Sequence, residues 1–296
     1  MQAFEYVSPS SVEEAVALLS GPEGSARALA GGTDLLVQLR AERFAPQRVV
    51  DIKAIPELGE VRLSLADGLT LGAAVPCYRI YEDTAIRAAY PALVDSVSIL
   101  GGIGIQGRAT VGGNLCNASP SGDSIPSLIV LGATCNIAGP SGRRQLSAEQ
   151  FCLAPGLSRL EPGELLVSIH FPPPEPRSGS FYLRFIPRNE MDIAVVGAGA
   201  WVRLSEDGQS VADARVALAA VAPTPLYVDA ARGLLVGTAG DEEAIARAAT
   251  AAREAVSPIS DMRGSQTQRR HLAGILTTRA LRGALRRARG EPEPRH

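Results

Sequence analysis

Two short segments carry the residue types that hold an anion. Leu29-Ala30-Gly31-Gly32-Thr33-Asp34-Leu35-Leu36 reads as strand, glycine pair, helix. That order lets backbone N–H groups converge on negative charge where a helix begins. Glycine suits the turn because no Cβ blocks the approach and positive φ is free. Thr33 adds a hydroxyl. Alone, the segment fits an ordinary tight turn equally well. Thr110-Val111-Gly112-Gly113-Asn114-Leu115-Cys116-Asn117-Ala118-Ser119-Pro120 repeats the device, with polar groups at Thr110, Asn114, Asn117 and Ser119. A diphosphate has two charged phosphoryl groups, which a pair of donor loops matches. Asp123, three residues beyond Pro120, is placed to accept from a sugar hydroxyl. Together the loops favour a ligand over two unrelated turns.

A third glycine pattern is a decoy. Gly102-Ile103-Gly104-Ile105-Gln106-Gly107 matches GxGxxG by letter. A helix, not a strand, leads into it, so the Rossmann context is missing. No stand-alone catalytic set appears either: His170, His271 and His296 lie in no motif, and there is no G-x-S-x-G elbow or HExxH helix. No catalytic residue and no metal ligand is assigned. Cys77, Cys116, Cys135 and Cys152 lie far apart in sequence without CxxC, so neither disulfides nor a metal or iron–sulfur site is expected.

The elements that must position the loops follow from periodicity. Ser11 to Glu14 forms a capping box, and Val12, Ala15, Val16 and Leu19 repeat at helical spacing. Strands are expected at 26–30 and 49–52, with a helix at 34–42 placing Leu35, Leu36 and Leu39 inward. Further strands are expected at 69–73, 133–138 and 166–171, with a helix at 91–100. Pro172-Pro173-Pro174-Glu175-Pro176 is the best candidate boundary, because consecutive prolines cannot continue a sheet ladder. Beyond it, strands are expected at 181–185, 193–204 and 214–221 and helices at 241–256 and 268–289. The last helix puts Leu272, Ile275 and Leu276 on one stripe. For its basic end, with Arg282, Arg286, Arg287 and Arg289, a solvated helix end is preferred over a site for an acidic partner.

At 296 residues with 46% apolar content, the chain can fill two or three packed cores. A net charge of −2 gives no bulk electrostatic case for nucleic acid or a membrane surface. Lys53 is the sole lysine. The first residues show no export signal, and the apolar run 127–138 is too short for a membrane span. A cytoplasmic protein is expected.

The AGGTDLL and TVGGNLCNASPSGD segments resemble the FAD-binding medium subunits of the xanthine dehydrogenase and carbon monoxide dehydrogenase class of molybdenum hydroxylases. Supporting segments, including FYLRFIPRNEMDIA, run in order along nearly the whole chain. The resemblance implies an α+β, PCMH-type FAD-binding fold. It would comprise a small βαβ N-terminal subdomain (1–53), a larger mixed middle subdomain (54–175) and a C-terminal antiparallel sheet with helices (176–296). It places FAD on Ala30, Gly31, Gly32, Thr33, Asp34 and Leu35 and on Thr110, Gly112, Gly113, Asn114 and Ser119. Asp123 would lie near the adenosine or sugar end, with Arg184 and Arg188 toward the flavin. An arginine there could stabilise negative charge on the reduced ring, although a surface salt bridge is nearly as good a reading of both. Partners carrying the molybdenum cofactor and [2Fe–2S] clusters would complete a heterotrimer, expected as a dimer of heterotrimers. This chain would pass electrons from the clusters to an external acceptor.

Departures from the pattern are local. Many members have QIRNRGT where this chain has Gly104-Ile105-Gln106-Gly107-Arg108-Ala109-Thr110, and an aromatic where Ile193 stands. Two rivals stay open. One is a self-sufficient FAD oxidoreductase of the cell-wall-precursor reductase type. The other is a non-catalytic assembly subunit, against which the retained Gly31, Gly32, Gly112 and Gly113 argue.

Overall fold

A computed structural model describes residues 2–188 and 190–292; Met1, Asn189 and 293–296, His296 with them, lie outside the described residues. The chain opens with strand β1 (Glu5–Val7) and helix α1 (Val12–Leu19). Ser11 Oγ accepts from the N–H of Glu14 at 3.1 Å, while the Glu14 carboxylate accepts from the Ser10 N–H at 2.9 Å. Val12, Ala15 and Val16 form the buried stripe. Strand β2 (Ala26–Leu29), helix α2 (Leu35–Arg40) and strand β3 (Arg48–Asp51) follow. They form a parallel sheet in the order β1-β3-β2. The helix expected over 34–42 is shorter, and it does not bury Leu36. Only Leu39 is fully buried, whereas Leu36 is 42% exposed. One and a half turns can carry a single inward pair, Leu35 and Leu39 at i, i+4; Leu36 is rotated about 100° away.

In the middle region β4 (Val61–Ser64) and β5 (Gly68–Gly72) precede a run of short helices. These are α3 (Cys77–Tyr81), α4 (Thr84–Ala89), α5 (Pro91–Ser98), α6 (Ile103–Gln106), α7 (Val111–Cys116) and α8 (Ser124–Val130). Strands β6 (Thr134–Gly139) and β7 (Gly142–Ser147), a small hairpin β8 (Cys152–Ala154) and β9 (Leu157–Ser158), and β10 (Leu165–Phe171) follow. The main sheet is antiparallel in the order β4-β5-β10-β6-β7. Leu69, Leu71 and Ile169 from the sheet share one core with Ile80, Leu93, Leu115 and Leu128 from the helices. The apolar run 127–138 is not one element. It is the end of α8, every residue of which is buried, then a turn through Gly132 at φ +67°, then β6.

After the prolines come β11 (Ser178–Phe185), β12 (Val196–Leu204), β13 (Val211–Ala219) and β14 (Leu226–Tyr227), paired in that order and antiparallel. Helices α9 (Asp229–Leu235), α10 (Glu242–Ala255) and α11 (Gln266–Ala288) complete the chain. Alanines 273, 280 and 284 let α11 lie close on the sheet, and Leu276, Leu281 and Leu285 fill the core between. The basic end of α11 is not merely solvated. Arg287 crosses to α5, donating to Asp95 at 2.6 Å and to the Ser180 carbonyl at 2.7 Å. This combination of parallel, antiparallel and helical layers is an α+β fold.

Candidate functional site

The first glycine loop leaves β2 and enters α2. Gly32 sits at φ +79°, where a side chain would be strained, which explains the second glycine of the pair. Gly31 is needed for a different reason. A Cβ on it would lie 1.9 Å from the carbonyl oxygen of Arg108. Among the described residues the N–H groups of Gly31, Gly32, Thr33 and Asp34 donate to no backbone or side-chain acceptor. Four successive free donors on a turn make an anion nest. Ala30 and Leu35 flank it, half-buried against neighbouring core residues.

The second loop is a helix start. Thr110 is the N-cap of α7, its Oγ1 accepting from the Gly113 N–H at 2.8 Å. Gly112 and Gly113 therefore lie in the first helical turn rather than in an open loop. A Cβ on Gly112 would stand 2.4 Å from the Ala73 carbonyl, at the end of β5. The Val111 and Gly112 N–H groups have no acceptor among the described residues. Both α2 and α7 are six residues long, so their dipoles are small and the donors themselves carry the interaction.

The two segments are joined directly. Arg108 Nε donates to the Gly31 carbonyl at 3.4 Å, and Gln38 Nε2 on α2 donates to Asn117 Oδ1 at 3.0 Å. Asn114 is also engaged: its Oδ1 accepts from Ser124 Oγ at 2.7 Å, which ties α7 to α8. Ser119 and Ser121 share a hydroxyl contact of 3.0 Å.

Charge is distributed unevenly around this junction. Asp34 is exposed, with no hydrogen-bond partner for its carboxyl among the described residues, and desolvation by the surrounding chain raises its pKa. Beside the sheet, Asp51 accepts from Tyr6 and from Lys53, the sole lysine. Burial works against ionisation of Asp51, but those hydrogen bonds hold its carboxyl below the usual range. Sequence reasoning missed Tyr6, Gln38 and Asp51, and attached no role to Lys53.

Asp123 and Arg184 were read at opposite ends of a cofactor, yet the structure brings them together. Arg184 Nη1 pairs with Asp123 Oδ2, and Tyr182 OH donates to Asp123 Oδ1 at 2.9 Å. Both carboxylate oxygens are thus engaged within the protein. The pair is buried, with 5% and 9% of the two side chains exposed, so Arg184 is no surface salt bridge. Burial pushes the Asp123 carboxyl up to about 6 against the opposing Arg184 charge and the Tyr182 hydrogen bond. The Tyr182 hydroxyl is raised well above its usual value, first by burial and then by Asp123. No periodicity in the sequence singled out Tyr182. Arg188 is different: it is largely exposed and contacts Asp192 at 3.3 Å. Ile193 beside it is 49% exposed.

The GxGxxG segment has a structural use. Gln106 is buried, its Nε2 donating to the carbonyls of Ser98 at 2.8 Å and Leu100 at 3.3 Å, closing the end of α5. The cysteines are less scattered than their spacing suggests: Cys116, Cys135 and Cys152 are near enough to influence one another electrostatically. All four are free, and among the described residues no His, Cys, Asp and Glu cluster could hold a metal ion.

The family profile described as "FAD binding domain in molybdopterin dehydrogenase" matches residues 2–174, and that of the "CO dehydrogenase flavoprotein C-terminal domain" matches 181–284. The chain belongs to the FAD-binding medium subunits of the molybdenum hydroxylases. It is 33% identical over 281 residues to the carbon monoxide dehydrogenase medium chain of Hydrogenophaga pseudoflava, covering 95% of this chain and 96% of that one. It is 32% identical to the xanthine dehydrogenase FAD-binding subunit of Escherichia coli O157:H7, covering 90% and 91%. A structure of the Hydrogenophaga pseudoflava enzyme superposes with a TM-score of 0.91 over 97% of this chain and 98% of that one. Quinoline 2-oxidoreductase of Pseudomonas putida 86 does so at 0.89, with 32% identity and the same two coverages. As a medium subunit of this family, the chain is part of an oxidoreductase.

The residues present fit a dinucleotide diphosphate. Six unengaged N–H groups come from two adjoining segments whose glycines admit no side chain at Gly31 and Gly112. The unpartnered Asp34 carboxyl offers an acceptor beside them.

Proposed function

We propose that Ala30 to Leu35 and Thr110 to Asn114 hold the FAD diphosphate and adjoining sugar, and that this chain relays electrons within a heterotrimer. Partner subunits would carry [2Fe–2S] clusters and the molybdenum cofactor, with two heterotrimers per assembly, in the cytoplasm. The convergence of two runs of free N–H groups at the Gly31–Arg108 contact carries the reading.

The chain's own residues then have defined tasks. Gly31 to Asp34 and Val111 to Gly112 neutralise phosphoryl oxygens by hydrogen bonding in a site where donors need no reorganisation. Asp34, unpartnered, accepts from a sugar hydroxyl; Ser119, beyond α7, is a further polar group on that side. Asp123 and Arg184, linked through Tyr182 to β11, position the third unit against the first two. On this reading the three sheets correspond to units 1–53, 54–175 and 176–296. Bound FAD supplies redox chemistry able to exchange single electrons with a cluster and two with an acceptor.

The test is to purify the chain with its natural neighbours and identify any released cofactor by chromatography and visible spectrum. FAD with iron–sulfur absorbance and co-eluting molybdenum is the expected result. A folded complex without flavin would leave the assembly role; turnover of its own substrate by the isolated chain would favour the self-sufficient reductase.

A further inference from the structure

A cleft of about 810 Å³ lies between the middle sheet's helices and the C-terminal sheet. None of the residues of either glycine segment lines it. Its size is that of a small-molecule site. One stretch of its wall is apolar, with Val94 from α5, Val130 and Leu131 from the end of α8, and Pro172 and Pro173 from the connector, beside polar and charged residues on the rest. Tyr90 makes one wall rigid: its hydroxyl donates to the Pro172 carbonyl at 2.8 Å and its ring contacts Phe171 at 5.5 Å.

Two side chains give the cleft chemical character. Trp201, the chain's one tryptophan, and Arg215 face each other in register across β12 and β13, with the guanidinium 5.8 Å from the indole centre. Arg215 has no hydrogen-bond acceptor or carboxylate partner among the described residues. The acids along the rim do not serve it. Asp95 is held by Arg287 at 2.6 Å and Glu175 by Arg203 at 2.8 Å, while Glu291 is exposed. Arg87, also on the rim, donates to the Tyr81 carbonyl at 2.5 Å. Room for the guanidinium is provided by Gly132, where a Cβ would stand 2.6 Å from Arg215 Nη1. A half-buried guanidinium held without an anion beside an apolar wall is matched by a carboxylate, which it binds through two parallel hydrogen bonds.

We propose that this cleft binds a small aromatic carboxylate, its ring against Trp201 and the apolar wall and its carboxylate on Arg215. One half-buried guanidinium, with Arg87 only at the exposed rim, suits one planar monoanion better than a polyphosphate. The proposal stands apart from the flavin reading.

The experiment titrates 2-naphthoate into the full chain and follows Trp201 fluorescence, with calorimetry for stoichiometry. Saturable one-to-one binding is expected, at least tenfold weaker in Arg215→Gln and unchanged in Arg232→Gln, whose arginine pairs with Asp213 outside the cleft. The neutral 2-naphthamide should bind wild type and Arg215→Gln alike. Leu63→Trp, on the opposite wall, should block binding with Arg215 intact, so a folding failure of Arg215→Gln does not end the test. No saturation at millimolar ligand, equal affinity in Arg215→Gln, or binding lost when the chain joins its complex would each overturn the proposal. The last outcome would mean that a neighbouring subunit covers the cleft.

Discussion

Gly31 is seated on the main chain of Arg108, so closely that a β-carbon on it would fall 1.9 Å from the Arg108 carbonyl oxygen. This contact, 77 residues apart in sequence, makes one donor surface of two glycine segments. Backbone cannot yield as a flexible side chain can, so Gly31→Ala should separate the loops. A cost of about 1–3 kcal/mol in stability is expected, with FAD affinity reduced at least tenfold. Gly107→Ala, where nothing lies within 4 Å, is the control and should bind FAD normally. Equal flavin occupancy in both variants would remove the contact from the site.

Asp123 should give stability an unusual pH slope. Its folded-state carboxyl titrates near 6 because it is buried, against an ordinary value of 3.8. Between these values the folded chain keeps a proton that the unfolded chain has released. Stability from this group therefore falls as pH rises through that window. Asp123→Asn should flatten the Tm–pH curve between about pH 4 and 6 relative to wild type. Parallel curves would show that Asp123 is ionised throughout.

How much of this was legible in the sequence depended on whether the signal was local. The strand–glycine–helix order at Gly31 and the cap at Ser11 are local, and both were readable. Thr110 is legible in sequence only as a polar group of the second segment; its role as an N-cap that draws Gly112 and Gly113 into a helix needed the first turn's geometry. Leu36 misled because a six-residue helix has no room for a second inward row. The pairing of Asp123 with Arg184 and Tyr182 links residues about sixty positions apart through burial, which no periodicity encodes. Helix α8 was hidden because all of its residues are buried, leaving no polar face to set a period.

Gln106 replaces a charged residue of the family pattern with a buried amide that closes α5. Gln106→Ala would leave the carbonyls of Ser98 and Leu100 without their donor, costing about 1–3 kcal/mol by thermal unfolding. The effect should fall on stability, with FAD affinity close to wild type in the folded fraction. A stability unchanged within error would mean that water replaces the amide.

The thiols should be sluggish. Burial raises Cys77 and Cys116 to about 12 and Cys152 to about 11, and Cys135 is raised too. Because the thiolate is the reactive form, a two-unit rise lowers reactivity about 100-fold. A disulfide reagent at pH 8 should label the native chain slowly and all four thiols at once after denaturation. Rapid labelling of one thiol in the native chain would show an opening that the packed core does not provide.

Strand β10, last made in the middle sheet, takes the central place between β5 and β6. A chain still being synthesised therefore cannot close that sheet until Phe171 has emerged. Until then β5 has only β4 beside it, and Ala73, on whose carbonyl Gly112 rests, is not yet fixed by the hydrogen bond that its N–H donates to the Val167 carbonyl at 2.9 Å. Translation thus sets an order of assembly: the second glycine segment gains its full support only from a strand made about fifty residues later.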